Sequence, residues 1–443
     1  MQTKSKITNL EILLELAKKH GAGNVEIIQK SYTENPVSFE NNKLKILESK
    51  ENSGIAVRLI KTGKIGLSST TNPEALERTI ISAIEASEYG PEATFEFTKE
   101  KIDSRGVINQ AHTDIPLEEL VERGTKVVNS LSAFHKDILI SGGFNLLSGE
   151  TVYLNSNGVF GERNRTVYST SFYANLVRGE DFLGIYDGNS SLEEFPSEFE
   201  MQNKILEKLN YSKENVLLNT KRYPVIFTPH AVMGIFVDIL NVILNGKTIQ
   251  QGISPLVGKL GQKLFSEKLT LNENPDIGTA KIHFDDEGVR TKEKKLIDRG
   301  TINSFYFDLS SASRLGSGTS STGNGFKGGL AAAPVPKLTN LQVGQGKKSY
   351  KELIKNIKEG VLVDQVLGAG QSNTLAGEFS VGIDLGFKIV NGEINGRIKN
   401  CMVAGNIFDL LKNITEISSE VECVYGSNFI PWFLIDDLTI GAK

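Results

Sequence analysis

His230 stands where an apolar run, Val225-Ile226-Phe227, gives way to a helical stretch over residues 231–244, the junction at which a strand-to-helix peptidase would carry its metal. A helix-borne zinc site needs two histidines on one helix and a glutamate beside the first, so that the metal acidifies its water and the carboxylate takes the proton. The neighbours here are Pro229, Ala231, Val232, Met233 and Gly234, none of which ligates zinc, and the nearest carboxylate is Asp238. His230 therefore reads as a packed helix-end histidine rather than a ligand. Asp285-Asp286-Glu287-Gly288 places three acids at a strand end, where oxygen ligands could gather round a hard cation. No EF-hand spacing follows, and the favoured reading is a hairpin turn with solvated acids and Gly288 at positive φ. Loop 316–329 contains six glycines, Gly323 among them, together with Asn324, and its N–H groups could form an anion nest. It lacks the GxxxxGK[ST] pattern, which leaves a mobile loop closing over an extended ligand or a plain connection. The five histidines, His20, His112, His135, His230 and His283, assemble no triad with any Gly-x-Ser-x-Gly serine.

Composition bounds the class. A chain of 443 residues suggests two or three domains, and 39% hydrophobic with 23% charged residues reads as globular. No apolar run approaches a membrane span, and the first twenty residues lack a signal-peptide layout, so a cytoplasmic protein is expected. Two cysteines, Cys401 and Cys423, read as reduced thiols. A net charge of −4 without a basic block speaks against nucleic acid as a partner.

The elements that must position these residues follow from periodicity. Thr8-Asn9-Leu10-Glu11 has capping-box spacing before Leu10, Leu13, Leu14 and Ala17, which predicts a helix opening at Thr8. Short apolar runs at 25–28, 37–39 and 55–60, then the turn 61–64, predict a meander, and Asn72-Pro73 opens a second helix. A second helix–meander–helix follows. Its parts are a helix from Leu117 to Leu131, strand runs at 138–140, 144–147, 152–154 and 166–177, a polar stretch at 187–197 and a helix near 201–209. Beyond Tyr223 the texture is strands with Gly, Asn and Ser loops: strands at 281–284, 294–298, 301–307, 378–390 and 433–440, helices at 231–244, 349–359 and 406–413. The fold class is α+β: two related helix/antiparallel-meander/helix subdomains, 1–105 and 106–220, then a β-rich domain, 221–443.

Several carboxyl-terminal motifs coincide with one family. Phe284-Asp285-Asp286-Glu287-Gly288-Val289, Thr322-Gly323-Asn324, Gly377-Glu378-Phe379-Ser380, Asn391-Gly392-Glu393-Ile394, Ala404-Gly405-Asn406 and Ser427-Asn428-Phe429-Ile430-Pro431 resemble, in order and spacing, the TldD/PmbA family. Val57-Arg58 and Gly63-Lys64-Ile65-Gly66 resemble its amino-terminal hairpin. The resemblance implies a peptidase system acting on unfolded or extended peptides, in which a TldD-type subunit carries His-Glu-x-x-x-His and pairs with a PmbA/TldE subunit. Aligned on Ala231-Val232, that motif falls on Pro229, His230 and Gly234, so its metal-binding types are missing, and Cys423 alone stands near the family's carboxyl-terminal cysteine ligand. The resemblance therefore implies a PmbA/TldE-like subunit with no catalytic residue or metal of its own, paired with a zinc-bearing TldD-like paralogue or with itself. Gly323, Asn324, Gly377 and Ser380 are the expected peptide or partner contacts. The alternatives are a self-sufficient homodimeric hydrolase using the acids near Asp285 and Ser380, and, more distantly, a DNA gyrase modulator. Phe429, Pro431, Trp432 and Phe433 could form a pairing patch or fill the domain core.

Overall fold

Period-two burial builds the amino-terminal sheet: along one strand Thr166, Tyr168, Thr170, Phe172, Ala174 and Leu176 are all buried while their neighbours are less so. The computed structural model describes residues 2–102, 107–108, 115–369 and 373–442. The order begins α1 (Gln2–Lys19), β1 (Asn24–Glu40), β2 (Lys43–Leu47), β3 (Lys50–Lys61), β4 (Lys64–Thr70) and α2 (Leu76–Tyr89). It continues with β5 (Val107–Ile108), α3 (Leu117–Ser132), β6 (Ile138–Asn155), β7 (Phe160–Arg178), β8 (Asp181–Ser191) and α4 (Glu198–Tyr211). The helix–meander–helix order thus occurs twice. The two halves share one eight-stranded sheet, because β1 pairs antiparallel with β6 from Glu26↔Asn155 to Phe39↔Gly142. Helices α1 and α2 cover β1 and β3 through Leu10, Leu13, Ile80 and Ala83, and α3 and α4 cover β6 and β7 through Leu120, Leu131, Ile205 and Leu209.

Local expectations fail where long-range pairing overrides them. Helix α1 starts at Gln2, which puts Thr8 inside it rather than at its cap. The three runs expected between 138 and 154 are one strand. Gly142 and Gly143, at φ +128° and +145°, do not interrupt it, and a Cβ on Gly143 would meet the Val37 carbonyl oxygen at 2.0 Å. The polar stretch expected from Asp187 begins inside β8, which is stabilised by pairing with β7.

The carboxyl-terminal domain is built on a twelve-stranded sheet. Within it, Lys221–Phe227 lies between Glu359–Leu367 and Asn428–Ala442, Glu359–Leu367 pairs Glu378–Val390, and Cys401–Asn406 pairs both Glu378–Val390 and Asn428–Ala442. Those pairings close into a ring. Its core holds the segment after His230, where Ala231, Val232, Ile235, Phe236, Ile239 and Ile243 are all buried, with the Phe236 ring 5.1 Å from Phe227 and 6.0 Å from Phe433. That wide apolar face packs into the ring, while Asp238 on the opposite side is exposed. The segment is not one regular helix: Pro229–Val232 and Asp238–Ile243 are α-helical, and Met233–Val237 is a π-type turn. Residues 281–284 form no strand; Phe284 only bridges to Arg290. Of the two readings of Phe429, Pro431, Trp432 and Phe433, burial of the last three within their own domain favours core, and Phe429 is half-buried. No helix among the described residues is long and apolar enough to cross a membrane.

Candidate functional site

Residues 229–234 open that segment. Thr228 caps the short helix by accepting from Ala231 N, Pro229 is buried at its first turn, and Gly234 falls in the π-type turn. His230 lines a cavity of about 500 Å³ where α4 and β8 meet the carboxyl-terminal domain. Lys208 on α4 reaches Asp364, on Glu359–Leu367, at 2.8 Å, and Lys204 reaches Glu422 at 3.0 Å. Burial pulls the Lys208 ammonium down, but Asp364 and Asp187 outweigh it and the net shift is upward. Burial opposes ionisation of Asp364 as well, and Lys208 carries it below the usual carboxylate range. The His230 imidazolium is disfavoured first by burial and then by Lys208, so its pKa falls. A ring edge of Tyr425 packs on His230 at 5.8 Å between centroids.

These residues do not fit zinc. Pro229 and Gly234 offer no side-chain donor, His230 is one imidazole, and the Cys423 thiol, pushed up to about 11 by burial, is poorly disposed to ionise. Among the described residues no cluster of three or more His, Cys, Asp and Glu could hold a metal.

The other expected residues are placed elsewhere. The acids at 285–287 are not solvated: all three are at most 2% exposed. Asp285 accepts from Glu287 N and Val289 N at 2.9 Å and from Gly325 N at 2.8 Å, and burial raises its pKa far above the ordinary value. Asp286 is bound by Arg163 and, at 2.8 Å, by Lys30. Glu287 binds Arg58 at 2.9 Å and accepts from Leu309 N at 2.7 Å. Gly288 has the expected positive φ, +70°, packed against the Tyr153 ring. What read as a hydrophilic hairpin is the seam between the amino-terminal sheet and the carboxyl-terminal domain.

Gly323, at φ +75°, lies against the Arg290 backbone, where a Cβ would meet the carbonyl oxygen at 2.3 Å. Asn324 is fully buried. It donates to Glu273 at 2.8 Å and to the Lys337 carbonyl at 2.9 Å, and accepts from Thr322 at 2.7 Å. Gly377, at φ +73°, ends a short 3-10 turn, and Ser380 follows on an exposed position paired with Ala404. Asp285, buried in the seam, does not share that surface. His20 meets Glu77 at 3.3 Å, His135 accepts from Asp137 N at 3.2 Å and His283 lies 3.8 Å from Asp276; His112 falls outside the described residues.

Asp187, Lys208 and Asp364 escaped the sequence reading. One signal was available, since Lys208 follows Met201 and Ile205 at helical spacing and so belongs to the buried face of α4. Asp187 and Asp364 carry no local signature.

The chain matches the PmbA/TldA metallopeptidase C-terminal domain over residues 220–442 and PmbA/TldA metallopeptidase domain 1 over residues 25–87. It is 25% identical over 410 residues to an uncharacterized protein of Methanocaldococcus jannaschii, covering 91% of this chain and 93% of that one. It is 25% identical over 425 residues to Metalloprotease PmbA of Escherichia coli O157:H7, covering 92% and 90% respectively. The crystal structure of TldE from Thermococcus kodakarensis superposes with a TM-score of 0.90 at 24% identity, covering 98% of this chain and all of that one. A Thermotoga maritima protein named as a candidate modulator of a DNA gyrase gives 0.85 at 24% identity, covering 98% and 99%. These two structures share the fold.

Proposed function

The chain belongs to the PmbA/TldD metallopeptidase family, and from that premise we propose that it is the non-catalytic half of a peptidase pair, completing the peptide cleft of a zinc-bearing TldD-like paralogue. The observation that carries this reading is the junction at 229–234: the fold of the peptidase domain is intact, yet Pro229 and Gly234 stand where metal-binding side chains would be needed, and a Lys208–Asp364 ion pair lies across the cavity from His230. This chain's contribution is binding. Its sheet edges and the turn from Gly377 to Ser380 are the candidate sources of main-chain hydrogen bonds to an extended peptide, a mode that accepts many sequences.

The test is to purify this chain and the paralogue separately, measure bound zinc by elemental analysis, and assay cleavage of an unfolded protein alone and mixed, with and without chelator. The expected outcome is zinc in the paralogue only and chelator-sensitive cleavage only in the mixture. One tightly held zinc per molecule of this chain with cleavage by it alone, or a paralogue fully active without it, would overturn the proposal.

A further inference from the structure

We infer that the cavity at His230 is a binding site for a primary ammonium group carried on an apolar or aromatic body, such as the amino terminus of a peptide whose first side chain is large and apolar. The anchor is Asp187. It is 6% exposed, it lines the cavity, and its Oδ2 is buried without a hydrogen-bond donor among the described residues. A buried carboxylate short of donors is costly, and an N–H donor placed on its cavity side lowers that cost.

The charge balance points the same way. With the Lys208–Asp364 and Lys204–Glu422 pairs neutralising each other, the cavity wall retains three carboxylates, Asp187, Glu207 and Glu393, against one lysine, Lys351. With His230 neutral, that excess of negative charge selects a cation over an anion. The remaining wall is apolar. Tyr350 stacks on Trp432 at 4.7 Å and 11° between planes, and Ile354, Leu362, Phe387 and Ile394 complete it. Aromatic faces favour both an apolar body and an ammonium beside it. A volume of about 500 Å³ admits one or two residues of a peptide. The inference does not depend on subunit pairing, so the isolated full-length chain is the proper sample.

Trp432 is the chain's only tryptophan, so its fluorescence reports on this cavity. Phenylalanine amide is expected to produce a saturable change in that signal, and its N-acetylated form, which lacks the ammonium, none. Asp187→Asn is expected to weaken binding about tenfold or more, as loss of a charge-assisted hydrogen bond does. The tripeptide phenylalanyl-glycyl-glycine and 2-phenylethylamine distinguish the source: whichever binds more tightly identifies a peptide terminus or a small amine, and saturable binding of either supports the ammonium assignment. No saturable change up to about 10 mM, or an equal response to the acetylated compound, overturns the inference. Both readouts use the unmodified chain and so hold even if D187N fails to fold. Unchanged affinity in a D187N chain with a native melting curve overturns the anchor role of Asp187 and with it the proposal.

Discussion

Arg58 on β3 and Glu287, 229 positions further along the chain, meet at 2.9 Å with side chains 4% and 0% exposed. Arg58 Nε also lies 2.6 Å from Glu26, and the rings of Phe95 and Phe97 close over the guanidinium at 5.1 and 5.2 Å. The single proton of the Tyr153 hydroxyl is shared between two acceptors, Glu26 at 3.1 Å and the Glu287 carbonyl at 3.0 Å. The amino-terminal sheet is thus fixed to the carboxyl-terminal domain by a buried ionic cluster. Removing one member strands the others as buried charges, so Arg58→Met is expected to lower the unfolding free energy by about 3–5 kcal/mol in urea melts. Adding Glu26→Gln and Glu287→Gln should restore much of that loss, because the stranded charges are gone. A triple variant as unstable as R58M would show that shape, not charge, sets the cost.

The same seam sets a pH dependence. Burial outweighs Arg58 and pushes Glu287 up to about 7, above its unfolded value of about 4.3. Between those values the folded chain binds more protons than the unfolded one, so this group's contribution to stability falls as pH rises from about 4.5 to about 7. Asp286 has the opposite sign. Burial alone would raise it, but Arg163 and Lys30 hold it at about 2, and its contribution is lost as pH falls toward that value. The two together place the seam's optimum in mildly acid solution. Thermal melts across pH 4 to 9 should show the decline between about pH 5 and 7, and Glu287→Gln should reduce it, the remainder belonging to Asp285, which burial also raises. A slope in E287Q equal to that of the parent chain would assign the effect to other groups.

The elements were legible where a local pattern and a long-range partner agree. The period-two run along β7 and the helical faces of α2 and α3 are examples, since each exposes one apolar face that a neighbour must cover. Gly142 and Gly143 looked like breaks in β6 because nothing nearby in sequence shows that the Val37 backbone approaches them. The acids at 285–287 looked solvated for the same reason: their cations, Lys30, Arg58 and Arg163, arrive from another domain. That Pro229 and Gly234 offer no metal-binding side chain could be read directly, whereas the Lys208–Asp364 pair lining the same cavity as His230 could not, because those residues meet only after α4 docks on the carboxyl-terminal domain.

Asn324 distinguishes a structural position from a peptide contact. Its amide holds Glu273, a side chain 1% exposed that also accepts from Thr339 N at 2.7 Å and pairs with Lys294 at 2.9 Å. Asn324→Ala deletes a donor from a buried carboxylate and is expected to cost about 1.5–3 kcal/mol of stability. Read by denaturant melts beside cleavage by the reconstituted pair, the loss of activity should follow the loss of folded chain. A variant that keeps the parent's stability and still loses activity would restore Asn324 as a peptide contact.

Gly234→His tests the degenerate junction itself. A Cβ there would meet only Val366 Cγ2, at 3.6 Å, an ordinary contact, so the backbone accepts a side chain at this point of the π-type turn. The variant is expected to fold with a melting temperature close to that of the parent. It should nevertheless show neither stoichiometric zinc nor chelator-sensitive cleavage. Pro229 still offers no ligand, no glutamate stands beside it to act as general base, and two imidazoles alone do not make a tetrahedral site. Elemental analysis after dialysis and a peptide-cleavage assay on G234H alone decide the matter. One bound zinc per chain with cleavage would mean that the junction is a single substitution from activity.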